Sequence, residues 1–444
     1  MSHSVVIGLG QTGISCARYL AGKGEHFAIA DTRFNPPGLV EFEREFPGVE
    51  LWLGPLDAGQ LCEATRLIVS PGIAVSEPAI AKAMASGVPV VGDVELFAYE
   101  VSAPVVAITG SNAKSTVTSL VGYMAEKADI NVGVGGNIGL PVLDLLAEGE
   151  KELYVLELSS FQLETTYSLR AQAATILNLS ADHLDRYPDM LEYSLAKQRV
   201  YTGCKLAVVN RGEDATLPVH EFKSDLVSFG LDKPEPGQFG LISMDGRQWL
   251  SQGENALIPV DDIALSGRHG QLNALSALAL GQGAGIPMSA MLDALKDFQG
   301  LDHRCQLVLD HGGIKYINDS KGTNVGATVA ALNGLAVDGR IILIAGGDGK
   351  GAEFDSLAAP VAEYCKAVVL IGRDANVIAE SLAPSTPVFR AVSMEDAVKK
   401  AHGLAVSGDQ VLLSPACASW DMFGSYIVRG DAFTAAVKEI CCAG

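Results

Sequence analysis

A lysine and two hydroxyl residues follow an apolar strand in the segment Thr109-Gly110-Ser111-Asn112-Ala113-Lys114-Ser115-Thr116. At the start of a helix, backbone N–H groups and the helix dipole favour a phosphate group. Lys114 is then placed to reach terminal phosphates and Ser115 to ligate Mg²⁺. The general pattern G-x-x-x-x-G-K-[ST] is not matched, because Ile108 and Ala113 stand where its two glycines belong. Taken alone, this loop is equally compatible with a phosphate site and with a solvated helix cap.

A second group of candidate residues follows two further predicted strands. Glu157 stands near the end of the apolar run 153–158, where a buried carboxylate without a partner is costly and a metal ion is a suitable partner. Asp182, His183 and Asp185 follow the next strand, which predicts that they reach the same carboxyl edge of the sheet. A lone histidine is more often structural, but three candidate groups at one edge favour a metal-assisted site.

The N-terminus carries a glycine pattern typical of nucleotide binding. Gly8, Gly10 and Gly13 follow an apolar strand, and Asp31 ends the next strand. Such a pattern fits a dinucleotide site, in which the glycines allow close phosphate approach and the acid contacts a ribose. A glycine turn with no ligand is the plainer alternative. Arg33, next to the acid, can bind a phosphate or a carboxylate through its forked guanidinium.

Three successive α/β units are predicted to position these residues. The first runs from the strand 5–7 through a helix to a strand ending at Asp31, and it closes near residue 92. The second begins with the strand 105–108, and the third begins near Leu301. Short apolar strands at 153–158, 174–179 and 206–210, separated by helix-length segments, favour a parallel sheet.

Several local elements are predicted within the second and third units. Asp245-Gly246 predicts a hairpin with a type I′ turn, and helices are predicted at 270–284 and 288–297. In the third unit we predict a hairpin around residues 311–313, a helix at 323–333, a strand at 341–345 and a final helix ending near Ile440. The predicted domains are residues 1–92, 93–299 and 300–444.

Composition bounds the class of protein and its partners. The chain has 444 residues, 48% hydrophobic and 19% charged, with a net charge of −20. These proportions indicate a globular protein of about three domains. The acidic balance and the lack of a basic patch disfavour nucleic acid, although a few lysines and a metal ion can still bind anionic small molecules. We expect no membrane segment, no signal peptide, a cytoplasmic location and eight reduced cysteines.

The chain resembles the Mur ligase family in seven blocks, which keep their order and spacing over nearly its whole length. The blocks are 109–116, Gly135-Gly136-Asn137-Ile138-Gly139, Leu156-Glu157-Leu158-Ser159-Ser160-Phe161-Gln162, Asp182-His183-Leu184-Asp185-Arg186, His303-Arg304, Asn318-Asp319-Ser320-Lys321 and Gly346-Gly347-Asp348-Gly349-Lys350. Within the family, the segments that begin at residues 135, 159 and 412 resemble those of the members that add D-glutamate.

The resemblance implies an α/β fold of three domains: a Rossmann-like N-terminal domain for the UDP end of a substrate, a central P-loop-like ATPase with a parallel sheet, and a Rossmann-like C-terminal domain. It also implies three sets of binding residues. The UDP-substrate set is Gln11, Thr12, Asp31, Thr32, Arg33, Gly72, Asn137 and His183. The ATP set is Gly110, Ser111, Asn112, Ala113, Lys114, Ser115, Thr116, Asn273, Arg304, Asp319 and Lys321. The D-glutamate set is Lys321, Thr323, Lys350, Ser419 and Tyr426.

The implied reaction is ATP-driven amide formation between UDP-N-acetylmuramoyl-L-alanine and D-glutamate, by a monomer. The γ-phosphoryl group moves to the alanyl carboxylate, and the amine attacks the acyl phosphate. Lys114 and two Mg²⁺ ions neutralise charge on the transferring group. By resemblance, Ser115 and Glu157 hold one ion and His183 the second, so that Lys114, Glu157, His183 and Lys197 form the catalytic set. Lys197 matches a lysine that the family carbamylates; without the resemblance, Lys197 reads as a solvated helix residue.

The chain departs from the family pattern at two single positions and in one segment of three residues. Ala113 stands where the loop usually has glycine, and a β-carbon at positive φ costs about 1–2 kcal/mol. Gly270 stands where an asparagine near the nucleotide is expected. Gly424-Ser425-Tyr426 replaces a lysine, an asparagine and a phenylalanine next to the glutamate site.

Two other classes of protein stay open from the residues alone. One is an NAD-linked oxidoreductase, supported by the first glycine pattern, and the other is a non-catalytic nucleotide-binding regulator.

Overall fold

The computed structural model describes residues 3–183, 186–219, 225–265, 267–335, 340–382, 384 and 386–442. Asp185, which was predicted to reach the sheet edge, lies outside them. The described chain is α/β and contains three sheets. It divides into two compact units, here called the first unit (1–179, 186–259 and 274–296) and the second unit (180–185, 260–273 and 297–444). The boundaries near 92 and 299 stay predictions.

The N-terminal sheet is wholly parallel, with the strand order β3-β2-β1-β4-β5. Its inner strands are apolar and almost completely buried, as expected for a parallel sheet covered by helices on both faces. Its elements are β1 (Ser4–Ile7), α1 (Gln11–Gly22), β2 (Phe27–Asp31), α2 (Leu39–Glu45), β3 (Glu50–Leu53), α3 (Ala58–Cys62), β4 (Arg66–Val69), α4 (Pro78–Ala85), β5 (Val90–Val91) and α5 (Asp93–Glu100).

The central sheet has the strand order β14-β13-β12-β11-β10-β9-β6-β8-β7, parallel from β7 to β12 and antiparallel beyond. Its elements are β6 (Val105–Thr109), α6 (Lys114–Lys127), β7 (Val132–Gly136), α7 (Val142–Ala147), β8 (Leu153–Glu157), α8 (Ser160–Glu164), β9 (Ala173–Ile176), α9 (Met190–Gln198), β10 (Leu206–Asn210), β11 (Asp225–Phe229), β12 (Phe239–Met244), β13 (Arg247–Gln252), β14 (Asn255–Pro259), α10 (Gly267–Gly283) and α11 (Met288–Asp297). The predicted hairpin is confirmed, because Asp245 and Gly246 both have the positive φ of a type I′ turn.

The third sheet has the order β15-β16-β20-β17-β18-β19 and is parallel except for the β15–β16 hairpin, which confirms the predicted hairpin at residues 311–313. Its elements are β15 (Gln306–His311), β16 (Ile314–Asn318), α12 (Val325–Leu335), β17 (Ile341–Gly346), α13 (Ala358–Tyr364), β18 (Cys365–Ile371), α14 (Ala375–Ser381), β19 (Val388–Arg390), α15 (Met394–Leu404), β20 (Gln410–Leu413) and α16 (Tyr426–Cys442). Short 3₁₀ helices occur at Arg199–Tyr201, Asp214–Thr216, Val260–Asp262 and Asp355–Leu357.

The N-terminal and central sheets share one hydrophobic core within the first unit. Buried side chains of α1 and α5 pack together with those of α7 and β8, and the rings of Phe97 and Tyr154 meet edge to face at 5.1 Å. This continuous core fixes the position of the carboxyl edge of the N-terminal sheet relative to that of the central sheet. In the second unit, by contrast, the third sheet is covered on its two faces by separate clusters.

Two composition-based expectations can be compared with the fold. Among the described residues, no helix combines the length and the apolar character needed to cross a membrane. The cysteines with described side chains are free thiols, and most are buried; Cys305 is exposed and Cys62 is half-buried.

Candidate active site

The loop between β6 and α6 has the backbone of a phosphate-binding turn. Gly110 has a φ of +148° and Ala113 a φ of +65°, and α6 begins directly after Ala113 with no side chain capping it there. Ala113 therefore occupies the left-handed region that glycine usually fills, at a cost of about 1–2 kcal/mol. The first turn of α6 directs its N–H groups toward the loop, where an anion is favoured.

Asn178 holds this loop from the neighbouring strand. Its carbonyl oxygen accepts the N–H of Ser111 at 3.0 Å, its side-chain oxygen accepts the N–H of Asn112 at 2.8 Å, and its amide donates to the carbonyl of Asn112 at 3.1 Å. The predicted strand 174–179 ends earlier, at Ile176, because the residues after it turn to make these bonds. Asn178 was not predicted; its sequence signal is an asparagine directly after a strand at the loop edge.

Lys114 and Lys197 converge on one carbonyl of the loop. The Nζ atoms of Lys114 and Lys197 donate to the carbonyl oxygen of Gly110 at 2.8 Å and 3.0 Å. Lys197 is 1% exposed, and its Nζ lies 4.7 Å from the ring centroid of Tyr193. The alternative that Lys197 is a solvated helix residue is therefore wrong. A buried ammonium is costly unless it is well partnered, which makes this lysine a candidate for modification or function.

Glu157 supplies a buried carboxylate beside the same loop. It ends β8, pairs in register with Ile108 of β6 and is 2% exposed. Its Oε1 accepts a hydrogen bond from the Nδ2 of Asn137 at 2.7 Å, whereas its Oε2 has no hydrogen-bond partner among the described residues. A buried carboxylate oxygen without a donor is well suited to a cation.

The oxygen donors near the phosphate loop fit Mg²⁺. No group of three or more His, Cys, Asp or Glu residues able to hold a metal occurs in the described part of the chain. Mg²⁺ commonly keeps several waters and binds through one or two protein oxygens plus substrate phosphates. Glu157 and the buried hydroxyl residue Ser115, at the start of α6, can provide such oxygens.

The first glycine pattern forms a tight turn at the carboxyl edge of the N-terminal sheet. Gly8 has a φ of +99°, and a β-carbon on Gly13 would lie 2.0 Å from the carbonyl oxygen of Gly8, so only glycine fits there. Gln11 and Thr12 open α1 directly after this turn. Thr32 and Gly72 are exposed at the same edge, after β2 and β4 respectively.

Asp31 and Arg33 form a fixed ion pair at this edge. The Nε and Nη2 atoms of Arg33 donate to the two carboxylate oxygens of Asp31 at 2.9 Å and 2.8 Å, and the N–H of Leu9 donates to Oδ2 at 2.7 Å. Burial acts to raise the pKa of Asp31, but these bonds outweigh it and hold that pKa below its usual value. Because both carboxylate oxygens are engaged, Asp31 is poorly placed for the ribose contact of a dinucleotide site. The half-exposed Arg33 remains available to an anionic ligand.

The second unit contains the remaining predicted residues. His183 has a φ of +56°, and its backbone N–H donates to Oδ1 of Asp182 at 3.0 Å. Asn273 lies on α10. At Gly270 a β-carbon would lie 2.6 Å from the carbonyl oxygen of Leu265, so an asparagine there would require this backbone to shift.

Asp319 follows β16 and is buried. Its two carboxylate oxygens accept hydrogen bonds from the N–H of Cys305 at 3.2 Å and the hydroxyl of Ser414 at 2.7 Å. Burial nevertheless raises its pKa to about 6, and the neighbouring Arg304 opposes that rise. The structure thus brings Arg304 and Asp319 into one electrostatic environment, while their role in ATP binding stays a prediction.

The predicted D-glutamate residues lie on loops of the second unit, except Tyr426, which begins α16. The Nζ of Lys321 lies 4.1 Å from the ring centroid of Tyr426. The loop of Lys350 and the loop of Ser419 are joined by two backbone hydrogen bonds between Asp348 and Ala418, at 3.0 Å and 2.8 Å. Thr323 follows Lys321, and its N–H donates to the carbonyl of Lys321. Lys350 is exposed with a φ of +52°.

A buried arginine that was not predicted supports these loops. Arg429, on α16, is 1% exposed and donates to the carbonyls of Ser320 and Cys417 at 2.7 Å and 3.0 Å. Burial lowers its pKa to about 10. The sequence holds no local signal for this residue, because its partners are 12 and 109 positions away.

Three family models match the chain. The description "Mur ligase MurD-like, N-terminal domain" matches residues 2–92, "Mur ligase middle domain" matches residues 108–281, and "Mur ligase, glutamate ligase domain" matches residues 303–417. Together they cover most of the chain.

Curated relatives match over nearly their whole length. A UDP-N-acetylmuramoylalanine--D-glutamate ligase from Pseudomonas aeruginosa is 53% identical over 438 residues, 98% of both chains. An enzyme of the same name from Marinobacter nauticus is 51% identical over 439 residues, 99% of this chain and 98% of that one.

Solved structures share the fold at low sequence identity. The MurF ligase from Thermotoga maritima, in complex with ADP, has a TM-score of 0.61 at 16% identity, covering 99% of this chain and 96% of that one. The UDP-N-acetylmuramate-alanine ligase of the same organism has a TM-score of 0.59 at 18% identity, covering 99% and 100% of the two chains.

Proposed function

The chain belongs to the Mur ligase family of ATP-dependent amide-bond ligases, and on that basis we propose that it joins D-glutamate to UDP-N-acetylmuramoyl-L-alanine in peptidoglycan precursor synthesis. The three-domain α/β architecture is that of the family. We assign the reaction to the cytoplasm and to a monomer.

One observation of the structure supports the ATPase chemistry most strongly. The buried carboxylate of Glu157 and the two lysines Lys114 and Lys197 surround a loop with the backbone of a phosphate-binding turn. A structural helix cap needs none of these groups. In phosphoryl transfer, Lys114 can neutralise charge on the phosphates directly, and Glu157 can hold a cation that neutralises more of it.

The residues of this site have different roles in the first step, the transfer of the γ-phosphoryl group. The first turn of α6 and Lys114 bind the phosphates of ATP, while Glu157 and Ser115 present oxygens for Mg²⁺. When bound there, Mg²⁺ would neutralise charge on the transferring phosphoryl group. We propose His183 as a ligand of a second ion. Asn137 orients the carboxylate of Glu157 through its 2.7 Å hydrogen bond. The γ-phosphoryl group leaves ADP and forms an acyl phosphate with the alanyl carboxylate.

The second step requires recognition of both substrates. Gln11, Thr12, Thr32, Arg33 and Gly72 bind the UDP end of the acceptor at the N-terminal sheet, with Asp31 fixing the guanidinium of Arg33. Lys321, Thr323, Lys350, Ser419 and Tyr426 bind the two carboxylates of D-glutamate. The amine attacks the acyl carbon, the carbon–oxygen bond to phosphate breaks, and the amine loses a proton as the amide forms.

A coupled assay for ADP tests this proposal. We expect ADP release only when UDP-N-acetylmuramoyl-L-alanine and D-glutamate are both present, together with Mg²⁺. L-glutamate and a diamino acid serve as matched controls for the amino acid, and UDP-N-acetylmuramate for the acceptor. Equal turnover with a diamino acid would overturn the D-glutamate assignment and leave only the family. Reduction of NAD in place of ADP release would instead support the oxidoreductase alternative.

A further inference from the structure

Arg186 connects the central sheet to the N-terminal sheet. Its Nη1 and Nη2 atoms donate to the carbonyl oxygens of Pro71 and Ile73 at 3.2 Å and 2.8 Å. The same guanidinium lies over the ring of Phe161, with Cζ 4.3 Å from the ring centroid. All four residues belong to the first unit. Arg186 therefore fixes the turn that contains Gly72, a residue of the proposed UDP-substrate site.

The turn 70–73 packs against the first glycine loop at Gly8. The hydroxyl of Ser70 donates to the carbonyl of Gly8 at 3.0 Å, and the N–H of Ile73 donates back to the carbonyl of Ser70. A β-carbon on Gly8 would lie 2.9 Å from Cβ of Ser70 and 3.2 Å from a side-chain carbon of Ile73. A shift of the turn would therefore move the glycine loop that begins the UDP-substrate site.

The other side of Arg186 is fixed by an aromatic stack that ends at the phosphate loop. The ring of Phe161 is stacked on Tyr187 with an interplanar angle of 14°, and Tyr187 packs against Tyr193 at 5.3 Å. The hydroxyl of Tyr193 lies 3.1 Å from the hydroxyl of Ser111 in the phosphate loop. One contiguous set of contacts thus runs from the turn 70–73 to the loop that binds ATP.

We propose that Arg186 is a positioning residue that holds the UDP-substrate turn in register with the phosphate loop. Its planar guanidinium suits this role, because it donates in two fixed directions while one face stacks on an aromatic ring. A lysine supplies the charge and several donors but not the fork. This inference rests on the proposed function, since it takes the turn 70–73 to be part of the acceptor site.

The test uses the full-length enzyme and three variants. Arg186→Met keeps the length of the side chain but removes the donors, and Arg186→Lys restores a charge. Arg211→Met is the matched control, because Arg211 likewise donates to backbone carbonyls, those of Phe239 at 2.7 Å and Asp232 at 3.2 Å, but at a distant strand edge. The Kd of UDP-N-acetylmuramoyl-L-alanine is measured by calorimetry without ATP, and the three KM values by ADP release.

We expect Arg186→Met to raise the Kd and the KM for the UDP-substrate about tenfold, the equivalent of about 1.4 kcal/mol, while the KM for ATP stays unchanged. Arg186→Lys should recover part of the loss. Arg211→Met should lower the thermal midpoint without moving any KM. If Arg186→Met lowers the thermal midpoint as the control does and leaves the Kd of the UDP-substrate unchanged, Arg186 contributes only to stability and the proposal is wrong.

A second variant keeps the proposal testable if Arg186→Met does not fold. Phe161→Leu retains both hydrogen bonds of Arg186 but removes the aromatic surface beneath it, and we expect a smaller rise in the same Kd. An unchanged Kd in Phe161→Leu would contradict the positioning role. Failure of the proposed function has a different signature, because the parent enzyme would then bind or turn over no UDP-substrate at all.

Discussion

A buried carboxylate outside the reaction site should make the stability of the first unit depend on pH. Asp93 begins α5 and is 1% exposed, and neither of its carboxylate oxygens has a well-formed hydrogen bond among the described residues. Burial raises its pKa from the usual 3.8 to about 6, and the backbone of Val94 and the side chain of Gln162 offset this only in part. We expect Asp93→Asn to stabilise the protein at neutral pH.

The direction and the size of the expected change in stability follow from the linkage between proton binding and folding. The folded state binds the proton of Asp93 more tightly than the unfolded state does, so the unfolded state ionises first as the pH rises. Stability is therefore lost between about pH 4 and pH 6, and the loss is complete somewhat above pH 6. A rise of roughly two in pKa corresponds to about 3 kcal/mol. The asparagine variant has no such loss, so its advantage should grow from near zero at pH 4 to about 3 kcal/mol at pH 7.5.

Denaturant and thermal unfolding of the parent and of Asp93→Asn, measured from pH 4 to pH 8, check this prediction. Asp57→Asn is the matched control, because Asp57 likewise stands at the start of a helix, α3, but its carboxylate is exposed and accepts the N–H groups of Gly59 and Gln60. The control should change stability by less than about 0.5 kcal/mol. An advantage of Asp93→Asn that is constant over this range would refute the reasoning, since it would arise from packing rather than ionisation.

The remaining predictions concern the proposed site. Ala113→Gly should raise stability by about 1 kcal/mol or less, because relief of left-handed strain is offset by the freedom of glycine in the unfolded chain; Ala125→Gly, inside α6, should lower it in the same thermal scan. Lys197 is predicted to carry a carbamate, visible as a carbon-13 signal after bicarbonate labelling that Lys197→Arg abolishes; a plain ammonium in an active, metal-loaded crystal would contradict this. Lys350→Ala should raise the KM for D-glutamate strongly while those for ATP and the UDP-substrate stay unchanged, and normal use of D-glutamate by that variant would argue against the assignment.

Much of the architecture was predictable because it depends on short-range patterns. Apolar runs such as 105–108 and 341–345 became buried parallel strands, and Asp245-Gly246 became the hairpin turn that its backbone preferences favour. The phosphate loop was recognisable for a similar reason, since a strand, a glycine-containing loop and a helix follow each other directly. A positive φ at Ala113 was anticipated because alanine stands where the family's loop usually has glycine.

Contacts between distant segments could not be read in this way. The burial of Lys197 has no signal in the neighbouring sequence. It arises because α9 places the lysine against the carbonyl of Gly110, which lies 87 positions earlier in the chain. Arg429 acts on loops through backbone carbonyls, which every residue possesses and which therefore leave no sequence signal. The signal of Asn178 is only an asparagine shortly after a strand. Arg33 was expected to bind a ligand through its forked guanidinium, whereas the Nε and Nη2 donors of that guanidinium are already bound to Asp31.

The sequence by itself determined the order of strands and helices, the glycine positions that tight turns require, and the residue types from which a nucleotide-dependent ligase can be built. These properties depend on local sterics and on the burial of apolar runs, which act over a few neighbouring residues. Only the tertiary structure decided which polar groups meet. Within the described part of the chain, it left one oxygen of Glu157 without a donor beside the phosphate loop, and it joined Arg186 to the turn 70–73. Such pairings depend on how sheets pack across a shared core, where each buried polar group has to find a partner that chain order does not specify.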